Sequence, residues 1–153
     1  MPTKVKFPVS KKPVGKLMKA KIKQSRTTVG NYPVGDFLIR IKNASLARKK
    51  TVEFPSNKFV ISVAKSLVKE KYLEEETVVQ GVLKISLSYK KKEPMISNIK
   101  LVSRPGLRVY MKVEDLESLR GPSIFILSTP IGIMSSKEAI KKRQGGEIIA
   151  EIL

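Results

Sequence analysis

The sequence predicts an α/β (α+β) fold of two small domains that follow a basic N-terminal extension. Two stripes of apolar residues at helical spacing are followed by alternating strand-like runs over residues 31–103. Short apolar runs broken by Gly and Pro dominate residues 104–153. We therefore predict a helix–strand–helix–strand–strand unit at 31–103, a mostly-strand domain with a short helix at 104–153, and an extension at 1–30.

The extension has no acidic residue and carries Lys or Arg at roughly every third position. Pro2, Pro8 and Pro13 interrupt its first half, and no sustained apolar face appears. Such a segment is predicted to be disordered alone and to become ordered against phosphates. The alternative is an organellar transit peptide, which is also basic and poor in acidic residues but favours Arg over Lys. This segment has one Arg among many Lys, which favours a phosphate-binding arm.

The first domain begins with a helix that has Pro33 in its first turn. Its apolar stripe is Phe37, Leu38, Ile41 and Ala44. A short strand at 51–54 stops at Pro55, and Ser56 or Asn57 is placed to cap a second helix. That helix has the apolar face Val60, Val63, Ala64, Leu67 and Val68.

The strands of this domain are predicted from the alternation of apolar and polar residues. Residues 83–89 place Leu83, Ile85, Leu87 and Tyr89 on one face. Residues 90–94 are predicted to turn the chain, and 95–102 to return as the partner strand of 83–89. The two helices would then cover one face of a small sheet.

The second domain starts near Arg104, where Pro105 and Gly106 predict a tight turn. The predicted elements are a strand at 107–111, a helical turn at 113–119, strands at 124–127 and 131–134, a helix at 136–143 capped by Ser135, and a closing strand at 147–153. Gly145 and Gly146 are predicted to end that helix.

Charge and composition narrow the function. Lys and Arg number 31 against 13 Asp and Glu, so the net charge is +18 and nucleic acid is the expected partner class. The alternative is a merely solvated charged surface. Cys and His are absent, which removes disulfides, Cys/His zinc sites and the usual general base. No apolar run reaches about 18 residues, so no membrane helix is predicted.

Catalysis finds little support in the sequence. The acidic residues cluster at 74–76 and 114–117 without metal spacing, and no Gly-rich phosphate loop occurs. We predict no enzyme, no catalytic residue, no metal and no cofactor.

Ser128 and Thr129 end an apolar run just before Pro130. Small hydroxyl side chains can approach the shallow minor groove of RNA, which displays 2′-hydroxyls and base edges. The alternative is an ordinary turn at the end of a strand. We predict RNA contact.

Gly145, Gly146 and Glu147 follow within a few residues. Paired glycines permit positive φ and a close approach of the backbone to phosphate or ribose. A carboxylate in so basic a chain makes sense if it accepts from a base amino group or braces the Ser128–Thr129 turn. The alternative is a helix C-cap followed by an acid at a strand edge.

Arg108 and Tyr110 lie two residues apart on the predicted strand and hence on one face, with Arg104 nearby. A guanidinium beside an aromatic ring can pair with phosphate while the ring stacks on a base. The alternative is Tyr110 in the core with Arg108 extending past it to solvent.

Lys58 lies at the start of the second predicted helix, where free N–H groups favour phosphate. Four basic residues lie on the first predicted helix and in the segment that follows it: Arg40, Lys42, Lys49 and Lys50. Together they are predicted to contact the phosphate backbone.

From about Pro33 onward the chain resembles the bacterial type of the small-subunit ribosomal protein S-eight family. The resemblance is carried, in the order and spacing of that family, by residues 33–43 (PVGDFLIRIKN), 54–58 (FPSNK), 102–110 (VSRPGLRVY), 128–135 (STPIGIMS) and 145–149 (GGEII). It implies two α/β domains and a structural constituent of the small ribosomal subunit that organises the central domain of the rRNA during assembly.

The resemblance also implies which residues bind. Its primary RNA site would comprise Ser128, Thr129, Gly145, Gly146 and Glu147. Secondary contacts would come from Lys58 with Ser56 and from Arg104 with Tyr110. Implied partners are small-subunit rRNA, neighbouring small-subunit proteins and, through a mimic of the rRNA stem, the chain's own mRNA.

Three departures from the family pattern stand out. Pro130 replaces a usual Ser, Ile131 replaces a common Lys, and Tyr32 replaces a frequent Asp. The basic extension has no counterpart in typical bacterial members.

Three functions remain to be compared: a structural ribosomal protein, a free regulator of mRNA, and a nuclease or RNA-modifying enzyme. We predict the first, in a cytoplasmic small subunit, with an organellar ribosome as the alternative.

Overall fold

The computed structural model describes residues 32–153, and the predicted basic extension at 1–30 lies outside them. The first five elements are α1 (Pro33–Leu46), β1 (Thr51–Pro55), α2 (Lys58–Lys69), β2 (Leu73–Val79) and β3 (Val82–Leu87). This is the predicted helix–strand–helix–strand–strand order, and the mixed helix and strand content confirms the α+β fold class.

Both helices bury the apolar faces that their spacing predicts. In α1, Leu38 and Ile41 are fully buried, and the Phe37 ring lies 5.5 Å from the ring of Phe54 on β1, centroid to centroid. Asn57 caps α2, because its side-chain oxygen accepts from the Phe59 N–H at 2.9 Å. Burial of these faces against the sheet is the main source of stability for this region.

The three-stranded antiparallel sheet has the order β1-β3-β2. Leu83, Ile85 and Leu87 face its core as predicted, but their predicted partner at 95–102 is wrong. The partner is β2, joined to β3 by a two-residue turn in which Gln80 has φ 48° and Gly81 has φ 78°. Turns with two positive φ values match the twist of paired strands, so the adjacent segment forms the hairpin.

The remaining elements are β4 (Tyr89–Lys90), β5 (Glu93–Pro94), β6 (Ile99–Leu101), β7 (Tyr110–Met111), α3 (Val113–Ser118), β8 (Ile124–Thr129), β9 (Gly132–Ser135), α4 (Ser136–Lys141) and β10 (Gly146–Ile152). β4 and β5 form a small hairpin, which confirms the predicted turn at 90–94.

A second sheet contains five strands in the order β9-β8-β10-β6, with β7 also paired to β10. Ile99 on β6 lies opposite Ile152 on β10, and both are buried. Residues 95–102 were predicted to pair with 83–89. Their strand, β6, pairs with the C-terminal strand β10 instead, because that pairing buries its apolar side chains. The predicted strand at 107–111 is reduced to Tyr110–Met111.

One face of this second sheet packs against α3 and α4. The cluster there consists of Leu116, Leu127, Met134, Ala139 and Ile148. Since side chains alternate along a strand, the neighbours Ser128 and Glu147 of these core residues point to the opposite face.

Side chains of α2 and of its C-cap residue, Glu70, fix the β8–β9 hairpin in place. The Ser66 hydroxyl donates to the Ile133 carbonyl at 3.2 Å, and the Ser135 hydroxyl donates to Glu70 Oε1 at 2.6 Å. Ser135 also caps α4, as predicted, by accepting from the Glu138 N–H. Within residues 32–153, no helix is long and apolar enough to cross a membrane.

Glu138 on α4 forms ion pairs with Lys69 of α2 at 3.3 Å, which links the two helices, and with Lys142 at the end of α4 at 2.7 Å. The Lys142 hydrogen bond lowers the pKa of Glu138, although partial burial acts in the opposite direction. Because the pKa is lowered in the folded state, the stabilisation is complete above the unfolded-state pKa and is lost as the pH falls through the folded-state pKa.

We expect Glu138→Gln to lower the free energy of unfolding at about pH 7 by about 0.2–1 kcal/mol for each exposed pair. The difference from the parent chain should be smaller at about pH 3, because the ion pairs weaken as the pH falls toward and through the lowered pKa of the Glu138 carboxyl. Urea unfolding at the two pH values measures this. Glu117→Gln is the control, because Glu117 makes no ion pair with another described residue. A loss that is equal at both pH values would contradict the account.

Candidate nucleic-acid interface

Four side chains lie in one row across the second sheet. Glu147 on β10 is paired with Tyr110 on β7 and with Ser128 on β8, and Ser128 is in turn paired with Ile133 on β9. Directly opposed residues on antiparallel strands share a face, so the row presents one continuous surface. The fold thus brings together residues that are 37 positions apart at most in the sequence (147 − 110).

Ser128 and Thr129 have different environments. The Thr129 side chain is buried, and its hydroxyl donates to the Gly132 carbonyl at 2.7 Å across the turn formed by Pro130 and Ile131. Ser128 is half-buried, and its hydroxyl makes no hydrogen bond within residues 32–153. Thr129 therefore shapes the turn, and Ser128 holds the hydroxyl available to a ligand.

The two glycines are required for a different reason than predicted. Neither has a positive φ, and the left-handed residue after α4 is Arg143, with φ 55°. A Cβ on Gly145 would lie 2.6 Å from the Met111 carbonyl oxygen, and one on Gly146 would overlap the Ser128 carbonyl oxygen. The predicted helix end at these glycines is wrong, since Lys142 is the C-cap and Gly146 already belongs to β10. They allow β7, β10 and β8 to approach each other closely.

Glu147 is neutralised by Arg108. The guanidinium donates to Glu147 Oε2 at 3.1 Å, with 20% of the Glu147 side chain and 44% of the Arg108 side chain exposed. A lone carboxylate would repel phosphate, but this pair presents no net negative charge. Sequence reasoning missed this ion pair, because Arg108 precedes β7 and Glu147 lies on β10, 39 positions further along the chain.

The loop from Ser103 to Tyr110 projects beside this pair. Arg104 and Leu107 exchange two backbone hydrogen bonds of 2.9 Å around Gly106, whose φ is 88°. Buried Ser103 fixes the base of the loop by accepting from the Val109 N–H at 3.0 Å. Tyr110 is 69% exposed, so the alternative that placed its ring in the core is wrong.

Comparison with known proteins decides the family. The family model described as Ribosomal protein S8 matches residues 32–153. The chain belongs to this family. "Small ribosomal subunit protein uS8" of Caldanaerobacter subterraneus is 45% identical over 126 residues, which cover 78% of this chain and 96% of that protein. The protein of the same name from Roseiflexus castenholzii is 40% identical over 128 residues, 80% of this chain and 97% of the relative.

Membership of the ribosomal protein S8 family confirms the predicted class. The chain is a structural constituent of the small ribosomal subunit and not an enzyme, and its partners are rRNA and other ribosomal proteins. Residues 1–31, which hold the predicted basic extension, lie outside the matched region.

The other predicted RNA-binding residues of this S8-family chain lie elsewhere. Lys58 is the exposed first residue of α2, and the Ser56 N–H donates to the Gly81 carbonyl at 2.9 Å. Lys58 lies eight positions, or about 12 Å of helix, before Ser66, whose hydroxyl donates to Ile133 on β9. Ser56 and Lys58 therefore do not join the Ser128–Glu147 row.

Arg40 has a structural role as well. Its guanidinium donates to the Glu53 carbonyl at 3.0 Å and lies 4.9 Å from the centre of the Phe54 ring. This cation–π contact holds Arg40 over β1, on an exposed surface of the first sheet.

Proposed function

We propose that the surface formed by Ser128, Glu147, Arg108 and Tyr110, with Arg104 at its rim, binds an irregular stem in the central domain of small-subunit rRNA. The supporting observation is the single row that Tyr110, Glu147 and Ser128 form across β7, β10 and β8, with Arg108 ion-paired to Glu147. Family membership supplies the rRNA partner, and the resemblance of the motifs supplies the central domain.

The chemistry of this surface fits the minor groove of an RNA helix. That groove is wide and shallow and displays 2′-hydroxyls, which the Ser128 hydroxyl can reach because it is not used internally. Exposed Tyr110 offers a ring for stacking, and Arg104 offers charge to the flanking phosphates, while Arg108 offsets the charge of Glu147 so that the surface does not repel them. The turn held by Thr129, and the close strand approach at Gly145 and Gly146, keep these groups at a fixed spacing.

Phosphate contacts away from this surface supply the remainder of the affinity. In this proposal Lys58 with Ser56 at the start of α2, and Arg40 over β1, meet the RNA backbone without recognising its sequence. The chain then organises the central domain during assembly in the cytoplasm, beside neighbouring small-subunit proteins. Binding of its own mRNA would use the same Ser128–Glu147 surface.

Ser128→Ala tests the proposal at one hydroxyl. We expect binding to a central-domain stem to weaken by about three- to tenfold, the value of one hydrogen bond, while binding to an unrelated duplex stays unchanged. Ser97→Ala is the matched control, since Ser97 is exposed and lies outside the row. Equal losses on both RNAs would reject the assignment.

Thr129→Val tests the turn beneath that hydroxyl. The replacement removes the hydrogen bond to the Gly132 carbonyl while keeping the shape of the side chain. We expect a loss of cognate binding together with a lower free energy of unfolding, by about 1 kcal/mol. Titration of the cognate stem and urea unfolding of the same sample measure both. Reduced binding at unchanged stability would instead indicate that Thr129 contacts RNA directly.

Deletion of residues 1–30 tests the basic arm. If the arm contributes only electrostatic attraction, the deletion lowers the slope of log affinity against log salt and preserves the preference for the cognate stem. Filter binding across a salt series measures the slope. Loss of the preference would show that the arm itself recognises the site.

A further inference from the structure

A groove lies on the first sheet, at the start of β1 and the end of β3. It has a volume of about 650 Å³ and is lined by Arg48, Lys50, Ser86, Leu87, Tyr89 and Lys92, with Thr51 and Glu74 at its edges. Lys50 belongs to the basic residues that the sequence places near the end of the first helix, but no residue of the Ser128–Glu147 surface lines this groove. Its size lies within the range that holds small organic ligands.

Two loops that are distant in sequence build this groove. The Arg48 guanidinium donates to the Lys92 carbonyl at 2.9 Å, and the Tyr89 hydroxyl donates to the Lys49 carbonyl. The Lys50 carbonyl accepts from the Leu87 N–H at 2.8 Å. Three carbonyl groups are therefore satisfied by donors of the opposite segment, which fixes the loops against each other.

The same arrangement concentrates positive charge. Arg48, Lys49 and Lys50 come from one loop, and Lys90, Lys91 and Lys92 come from the other. Within residues 32–153, no ion pair engages any of these six side chains. The Arg48 guanidinium is held by the Lys92 carbonyl, whereas the ammonium groups of the five lysines remain available to an external anion.

We propose that this groove binds one unpaired nucleotide of RNA, with its base against Leu87 and Tyr89 and its phosphates on Lys50 and Lys92. An apolar and aromatic floor beside cations is the combination that single-stranded RNA requires. Glu74 is the acidic residue of the lining. Its carboxylate can accept from the exocyclic amino group of adenine, cytosine or guanine, whereas uracil has no such group and offers only its ring N3–H. The inference rests on the proposed function only for the choice of RNA as ligand.

Short labelled oligonucleotides test the groove with the full-length chain. We expect hexa-adenylate to bind more tightly than hexa-uridylate, and Lys50→Gln or Lys92→Gln to weaken hexa-adenylate by about three- to tenfold and to lower the salt slope by about 1. Lys65→Gln is the matched control, because it removes one charge from the exposed face of α2. Losses no larger than that of Lys65→Gln would overturn the proposal.

Two further measurements separate this site from the Ser128–Glu147 surface. Ser128→Ala should leave binding of hexa-adenylate unchanged, so failure of the proposed rRNA site would not imitate failure of the groove. Glu74→Gln should reduce the preference for adenine over uracil, because an amide also donates to uracil carbonyls. The base-binding role of the groove would be ruled out if Glu74→Gln left the ratio of the two affinities unchanged. It would also be ruled out if the parent chain bound hexa-adenylate and hexa-uridylate equally tightly.

Discussion

Replacing Gly146 with alanine is expected to destabilise the chain by about 1–3 kcal/mol and to abolish its preference for a central-domain stem. The added Cβ would overlap the Ser128 carbonyl oxygen and lie 3.0 Å from its carbon. Both atoms belong to the backbone, so no side-chain rotation can relieve the contact. β10 must then move away from β8, and Glu147 separates from Ser128.

Urea unfolding and stem titration of this variant measure the two effects. Gly81→Ala is the control, since its Cβ would meet no atom within 4 Å and its cost is limited to the φ of 78°. That cost is about 1–2 kcal/mol and falls in the β2–β3 turn, outside the Ser128–Glu147 surface. Gly81→Ala should therefore lose stability and keep its RNA preference. A Gly146→Ala chain that retains both properties would refute the close-approach argument.

Leu127→Ala is expected to lower the free energy of unfolding by about 2–5 kcal/mol. Leu127 is fully buried in the cluster with Met134 and Ile148, and it lies next to Ser128 on β8 but points to the opposite face of the sheet. Truncation leaves a cavity between the sheet and the helices α3 and α4. Urea or thermal unfolding measures the loss.

Leu107→Ala is the matched control for this prediction. Leu107 is 63% exposed in the loop after Arg104, so its truncation removes little buried surface. Surface substitutions of this kind change stability by about 0.5 kcal/mol or less. Similar losses for the two variants would mean that the core of the second sheet is not where the structure places it.

Periodicity alone predicts much of this fold. The stripes of α1 and α2, the cap at Asn57 and the alternation of 83–87 are local features, and the structure confirms each of them. β2 was missed because its residues, Leu-Glu-Glu-Glu-Thr-Val-Val, do not alternate and lie on an exposed edge of the sheet. The signal that could have found it is Gln80-Gly81 between two valines, a two-residue hairpin turn.

Pairings between distant strands could not be read from the sequence. The partner of Ile99 is fixed by a burial that only the folded chain creates, and the Arg108–Glu147 ion pair depends on the contact of β7 with β10. Ser128 and Glu147, which the motifs of the family resemblance predict as parts of one site, do lie opposite each other on β8 and β10. The motifs could not show that the Thr129 hydroxyl donates to the Gly132 carbonyl, or that Gly145 and Gly146 are needed because a Cβ would clash with a neighbouring strand.

Competition between two stems of equal length tests the central claim most directly. The purified chain is bound to a central-domain rRNA stem, with an unrelated stem as competitor, at a low and a high salt concentration. If the Ser128–Glu147 surface recognises the stem by shape and hydrogen bonds, the preference persists at the higher salt while total affinity falls. Equal binding to both stems that collapses with salt would contradict the account and leave only a cationic attraction.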